Sequence, residues 1–224
     1  MLACNVRFAI SVFWLSMNDT LLLIAGLGNP GDSYARHRHN VGFMVLDVIH
    51  ESYKFGPWRR RFEGAVAEGT LAGRKVHLLK PMTYMNESGR SVGAAARFFK
   101  LEPPAVVVIH DEIDLAAGKL RAKTGGGDAG HNGLRSITAT LGPSYRRIRI
   151  GVGHPGEKDR VHGHVLQNFS KADETWLVPL LTAAAQAAPF LAEDDDAGFM
   201  NKVAVTLNPP VVKPKPEKPE KKDE

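Results

Sequence analysis

The chain is poor in cysteine, in long apolar runs and in several signatures of familiar catalytic machinery. Cys4 is the single cysteine among 224 residues, which excludes an internal disulfide framework and any cysteine-rich zinc site. A reducing, cytoplasmic compartment is expected. No apolar run approaches the ~20 residues that usually cross a bilayer, so no membrane span is expected. No serine or cysteine occupies a nucleophile elbow, which favours direct attack by water over a covalent intermediate. The glycine-rich stretch LRAKTGGGDAGHNG at 120–133 lacks a Gly-Lys-Ser/Thr ending, which argues against nucleoside-triphosphate hydrolysis. No internal repeat is present.

Positive charge is present but modest. One unit of the net +5 comes from the tail, where five lysines face four acids, and one from Arg7, which leaves +3 for the remainder. The basic residues are bunched: Arg36 with Arg38, Arg59 to Arg61, Arg121 with Lys123, and Arg146, Arg147 and Arg149. Such clusters either converge into a phosphate-binding face or remain solvated surface.

The chain is organised around Leu21 to Phe43. Leu21 to Ala25 is a short apolar run of the kind that forms a buried strand, and GLGNPG at 26–31 breaks it. Asp32 or Ser33 is expected to cap a helix carrying Tyr34, Arg36, His37, Arg38, His39 and Asn40. GLGNPG satisfies the dinucleotide fingerprint. A Rossmann unit, however, needs a nearby second strand ending in an acid, and the next convincing strand, Lys75 to Lys80, is distant and ends in Lys80-Pro81. Pro30 also removes a backbone donor from the turn.

The rest follows in order. Val41 to Ile49 has helical spacing; Phe62 to Leu71 and Lys75 to Leu79 read as strands around Ala72-Gly73. A helix through Val92 and Phe99 follows PMTYMNESG, and Ala105 to Ile109 is a β-branched strand with His110-Asp111-Glu112 beyond its end. The stretch 120–133 reads as a loop whose backbone donors, with a helix starting near Leu134, suit an anion. Arg147 to Val152 reads as a strand and 172–191 as an Ala/Leu-rich amphipathic helix. Residues 1–18 are expected to lie outside the fold. Phe8 to Leu15 looks like a weak secretory signal, and Met17 is the preferred true start. The domain then spans 19–208, and the Pro/Lys/Glu tail at 209–224 is expected to be disordered.

Strand ends and loops supply the candidate chemistry: Asn29, His39, Met85-Asn86, Asp111 and His131-Asn132. A neutral imidazole can take a proton from water near pH 7, and a buried carboxylate on its other nitrogen fixes the tautomer. Carboxamides both donate and accept without charge, which suits holding an ester carbonyl or placing a water. Each residue also has a plainer reading. A lone histidine near a helix start is often a surface or capping residue, turn asparagines satisfy backbone groups, and the acids at 111–114 suit a solvated loop. His110 and His154 read as structural. The pairs His37 with His39 and His162 with His164 lack carboxylates at ligand spacing, which argues against a metal. A hydrolase and an RNA-binding α/β domain both stay open on these residues alone.

The ordered set GLGNPG, Tyr34 with Arg38-His39-Asn40, PMTYMNESG, HDEIDLAAGKLRAKTGGGDAGHNGLRSI and RIRIGVGHP, between about Leu21 and Val203, resembles bacterial peptidyl-tRNA hydrolase. The resemblance implies one α/β domain, a twisted mixed and largely parallel sheet with helices on both faces. It implies hydrolysis of the ester joining peptide to tRNA, which recycles tRNA after stalled translation. On it, His39 matches the general base, Asp111 the carboxylate orienting it, and Asn29, Asn86 and Asn132 the substrate-holding asparagines. Tyr34, Met85 and His131 line the cleft. Arg121, Lys123 and Arg149 match phosphate contacts, with Arg121 standing where a lysine is expected. Asp128-Ala129 falls in a variable part of the loop. The implied partner is peptidyl-tRNA, through acceptor stem and peptide, with no cofactor, metal, membrane or obligate protein partner, acting on a cytoplasmic monomer. The competing class is a non-catalytic RNA-splicing scaffold of the same fold, against which the retained His39, Asp111 and three asparagines argue.

Overall fold

The computed structural model describes residues 21–209; the expected extension at 1–18 and the tail beyond 209 lie outside the described residues. Its centre is a seven-stranded sheet in the order β2-β3-β4-β1-β5-β7-β6. The strands are β1 (Leu22–Gly26), β2 (Arg59–Arg61), β3 (Gly64–Leu71), β4 (Arg74–Pro81), β5 (Val106–Glu112), β6 (Leu120–Thr124) and β7 (Arg146–Gly151). β4, β1, β5 and β7 run parallel, and β3 and β6 close them antiparallel on either side. The expected mixed α/β architecture is present.

The apolar strands are buried on both faces, which explains why they do not alternate with polar residues. Leu22 and Ile24 of β1 and Val107 and Ile109 of β5 enter a core beneath α1 (Val41–Ser52) and α5 (Glu174–Ala192). Leu23, Ala25, Val106 and Val108 enter a second core with Val92 and Ala95 of α2 (Ser88–Phe99) and Leu134 and Ile137 of α3 (Asn132–Leu141). α6 (Asp196–Leu207) packs on α5, and the short α4 (Val161–Val165) lies beyond β7. Chain direction reverses its winding between β1 and β5, so their carboxyl ends open a crevice where such sheets bind ligands.

Several expectations need correction. No single helix starts at Asp32: two 3₁₀ turns, Asp32–Tyr34 and Arg38–Asn40, flank an extended His37, and neither is capped by a side chain. Tertiary pairing causes this, since Arg38 N–H donates to the Gln167 carbonyl and Phe169 N–H to that of Arg36, both at 3.0 Å. β5 does not stop at Ile109, so His110, Asp111 and Glu112 lie inside the strand and are buried. A solvated acidic loop is therefore excluded for the first two acids. The supposed loop at 120–133 is β6 as far as Thr124. Finally, α5 is long and apolar enough by length and composition to cross a membrane, contrary to the expectation of no such run. Half of its hydropathic window is buried, with Leu177, Leu180 and Ala184 in the core, as in the core helix of a globular protein.

The glycines of GLGNPG admit α1 rather than a pyrophosphate. A Cβ on Gly26 would stand 2.3 Å from the Gly42 carbonyl oxygen, and one on Gly28 would meet the Phe43 ring. Conversely, a Cβ on Gly42 would stand 2.3 Å from Leu27 N and 2.4 Å from Ile109 O. These neighbours are backbone atoms that cannot rotate away, so the helix itself must shift. Gly42→Ala is expected to cost about 2 kcal/mol or more, lowering the melting temperature by about 4–8 °C. An unchanged melting curve would show that this helix–strand contact does not constrain the fold.

Candidate active site

The carboxyl ends of β1 and β5 bring His39 and Asp111 together across 72 residues of chain. His39 Nδ1 lies 2.8 Å from Asp111 Oδ1, with the two side chains 12% and 2% exposed. A carboxylate oxygen can only accept here, so His39 carries its proton on Nδ1 and leaves Nε2 as an acceptor. His131 approaches the same oxygen from the other side, Nε2 at 3.1 Å. Its Nδ1 accepts from the Gly133 and Leu134 N–H groups at the start of α3. The helix donors expected to hold an anion are thus partly committed to His131, a correction to the anion-loop reading.

Burial is the largest influence on both partners, and charge overrides it in each. Burial alone would lower the His39 pKa, but Asp111 raises it above 6.5. Burial alone would raise the Asp111 pKa, but His39 and His131 hold it well below the usual carboxylate range. His110 donates Nδ1–H to its neighbour's carbonyl at 2.7 Å. Burial, with His131 beside it, lowers its pKa to about 3. The expected structural role suits it.

Asn29 is fixed rather than free. Its backbone N–H and carbonyl are both bonded by the Asn40 carboxamide at 2.9 Å, and its own Oδ1 accepts from Met85 N–H at 2.8 Å. Two concavities meet at His39, Asn132, His162 and Val165. One, of about 590 Å³, is lined also by Asn29, Tyr34, Met85 and Asn86; the other, of about 410 Å³, by Asp111, Glu112, Gly130 and His131. All the expected cleft residues are brought together. Asn40 and His162 were given no role by sequence reasoning. Asn40 stands inside the Arg38-His39-Asn40 motif, which was its available signal.

The basic clusters separate by what they touch. Arg36 and Arg38 pair with Glu174 and Asp173, Arg146 with Asp194 and Asp196, and buried Arg147 with the Gly126 and Gly127 carbonyls. Arg38, Arg146 and Arg147 are thereby committed within the protein, whereas the Arg36–Glu174 pair is exposed. Arg121 and Arg149 are directly opposite across β6 and β7, and Lys123 lies two residues on. Arg121 and Lys123 are exposed, while Glu112 Oε2 accepts from Arg149 Nε at 3.0 Å and aims its guanidinium.

Among the described residues, His39, Asp111 and His131 present ligand atoms within 4.8 Å of one another. This cluster lay outside the histidine pairs weighed from the sequence. It does not suit a metal ion as it stands. Backbone donors occupy His131 Nδ1, which obliges Nε2 to keep its proton and act as a donor, not a ligand.

The His39 shift has a measurable consequence. A group whose pKa is raised by folding contributes stability that is fully present below the unfolded value of 6.5 and is lost as pH rises through the folded value. Asp111→Asn should therefore lower the His39 pKa in an NMR titration and reduce stability more at pH 6 than at pH 8. A His39 that titrates identically in both proteins would contradict the pairing.

Comparison with known proteins agrees with this geometry. The profile of the family described as peptidyl-tRNA hydrolase matches residues 23–211. Peptidyl-tRNA hydrolase of Parvibaculum lavamentivorans is 60% identical over 197 residues, covering 87% of this chain and 96% of that protein. That of Granulibacter bethesdensis is 61% identical over 187 residues, covering 83% and 96%. The crystal structure of peptidyl-tRNA hydrolase from Acinetobacter baumannii superposes with a TM-score of 0.78 at 40% identity, covering 82% of this chain and 94% of that one. The chain belongs to the peptidyl-tRNA hydrolase family.

Proposed function

We propose that the chain hydrolyses the ester bond of peptidyl-tRNA, with His39 as general base, Asp111 as its orienting carboxylate and Asn29, Asn86 and Asn132 holding the substrate. The observation that carries this reading is the His39–Asp111 pair at 2.8 Å, whose free Nε2 borders a concavity walled by those three asparagines. Water positioned at Nε2 gives up a proton as its oxygen attacks the ester carbonyl. The imidazolium so formed is stabilised by the Asp111 carboxylate. Uncharged carboxamide donors stabilise the tetrahedral oxyanion. Collapse then breaks the bond to the ribose oxygen, and the imidazolium returns its proton to that leaving group. Proton balance closes within one residue.

In the same reading Arg121, Lys123 and Arg149 meet acceptor-stem phosphates, which fixes the ester's position relative to His39. The enzyme works as a cytoplasmic monomer, releasing tRNA for reuse after stalled translation. A scaffold that only binds RNA would not require a buried His–Asp pair beside an open concavity.

Steady-state kinetics on a purified peptidyl-tRNA test the catalytic half. His39→Ala should lower kcat by about 10²–10⁴ with tRNA affinity within a few-fold. Asp111→Asn combined with it should be barely worse than His39→Ala alone, because the two act as a unit. Near-wild-type turnover by folded His39→Ala would remove this base. Neutralising Arg121, Lys123 or Arg149 tests the other half. KM for tRNA substrates should rise and its salt dependence flatten, while a small peptidyl ester is hydrolysed normally. Equal losses on both substrates would refute the phosphate role.

A further inference from the structure

Three imidazoles surround Asp111, yet their hydrogen bonds give them different protonation behaviour. His110 lies on β5 itself and is buried, with Nδ1–H committed to the Asp111 carbonyl and Nε2 without a partner. His131 sits between the other two, with ring centroids 4.8 Å from His39 and 5.1 Å from His110. At Nδ1 it accepts from Gly133 N–H at 3.1 Å and Leu134 N–H at 3.3 Å. A backbone N–H has no alternative role, so Nδ1 must present its lone pair and the ring's proton must sit on Nε2. Protonating His131 would set a new N–H against two existing ones.

We propose that His131 is a positioning residue for the hydrolysis, locked by the amino end of α3 as an Nε2–H donor that orients Asp111 and sets the basicity of His39. This rests on His39 being the base. His131 and His39 share one acceptor, Asp111 Oδ1, at 3.1 and 2.8 Å. The second donor holds the carboxylate in the plane His39 needs. It also draws electron density from that oxygen, so His39 is less basic than with Asp111 alone and returns its proton to the leaving group more readily. The lock reaches back into the glycine loop, because His131 N–H donates to the Asp128 carbonyl at 2.8 Å and Arg147 holds the Gly126 and Gly127 carbonyls. Loop geometry is thereby coupled to the orientation of Asp111. The other charged or titratable groups near this assembly are His37, two residues before His39, Arg147, acting on His110, Glu112, His154 and His162 around one concavity and Arg135 in the other.

His131→Asn separates the two functions of the side chain. Asparagine is a strong helix N-cap, but its shorter carboxamide cannot cap α3 and also reach Asp111. The variant should melt within about 2 °C of wild type, keep KM within twofold and lose kcat on the order of tenfold. The His39 pKa by NMR and the acid limb of kcat/KM should rise together. His131→Ala should show the same kinetic changes plus a lower melting temperature. In the unaltered protein, ¹⁵N NMR should find His131 Nδ1 unprotonated and Nε2 protonated between pH 6 and 8, a measurement that stands even if a variant fails to fold. A charged His131, or one protonated on Nδ1, overturns the proposal, as does His131→Asn with normal kcat and an unmoved His39 pKa. A loss confined to KM would mean that His131 touches substrate instead, and also overturns it. A His39 pKa that rises while the kinetic limb stays still has a separate signature: it removes His39 as the base, and this role with it.

Discussion

The site depends on one buried carboxylate. Placing an ionised Asp111 at the carboxyl end of a central strand costs several kcal/mol in lost hydration, and its side chain is 2% exposed. Each hydrogen bond to a charged group returns about 1.5–3 kcal/mol, so one donor would leave the balance near zero or unfavourable. Two imidazoles supply that compensation, one from the turn after β1 and one from the start of α3. The carboxylate thus fastens two loops that diverge from opposite sides of the sheet. The two imidazoles are linked through one shared oxygen, Asp111 Oδ1.

Carboxamides do for position what Asp111 does for charge. Asn40, at the join between a 3₁₀ turn and α1, bonds both backbone groups of Asn29, and Asn29 in turn holds Met85 N–H. This chain links the loops after β1 and β4 without introducing charge. The glycine contact between α1 and the strand ends sets the height of that lattice, since α1 begins one residue after Asn40. Packing of a helix against a sheet is thereby converted into the placement of Asn29 in the wall of the concavity.

Much of the scaffold was legible in the sequence because its causes are local. The apolar runs of β1 and β5 and the turn at Ala72-Gly73 announce themselves by composition, and His39, Asp111 and the three asparagines stand within motifs. What was not legible depends on contacts distant in sequence. A helix after Asp32 satisfies local capping rules, but pairing of 36–38 with 167–169 extends the chain instead. Nothing in LRAKT distinguishes a loop from an edge strand until β7 lies beside it. Whether Arg38, Arg146 and Arg147 form a phosphate face or solvated surface stays open in the sequence because their acceptors lie 20 to 135 residues away. His131 was read as a cleft residue, and its capping role appears only once the N–H groups of α3 turn towards it.

The disposal of arginines follows from the same electrostatics. A guanidinium facing His39 would favour the neutral imidazole and weaken the base, yet Arg38 is its immediate sequence neighbour. That charge is drawn away: Arg38 donates to Asp173 at 2.9 Å, with its guanidinium over the Phe169 ring. Among the exposed cations, Arg135 lines the concavity beside His39, whereas Arg121 and Lys123 lie on β6. In the sheet register His110 faces Arg149, which faces Arg121, whereas Asp111 faces Ile150 and Leu120. Alternation along a strand therefore sends the Asp111 carboxylate and the Arg121–Arg149 row to opposite faces. The Arg121–Arg149 row is thereby kept apart from the His39–Asp111 pair at the strand ends, and Arg135 is the cation that lines the concavity beside His39. With His39 as the proposed base and Arg121 and Arg149 as the proposed phosphate contacts, strand alternation would let one sheet bind a polyanion without lowering the basicity of that histidine.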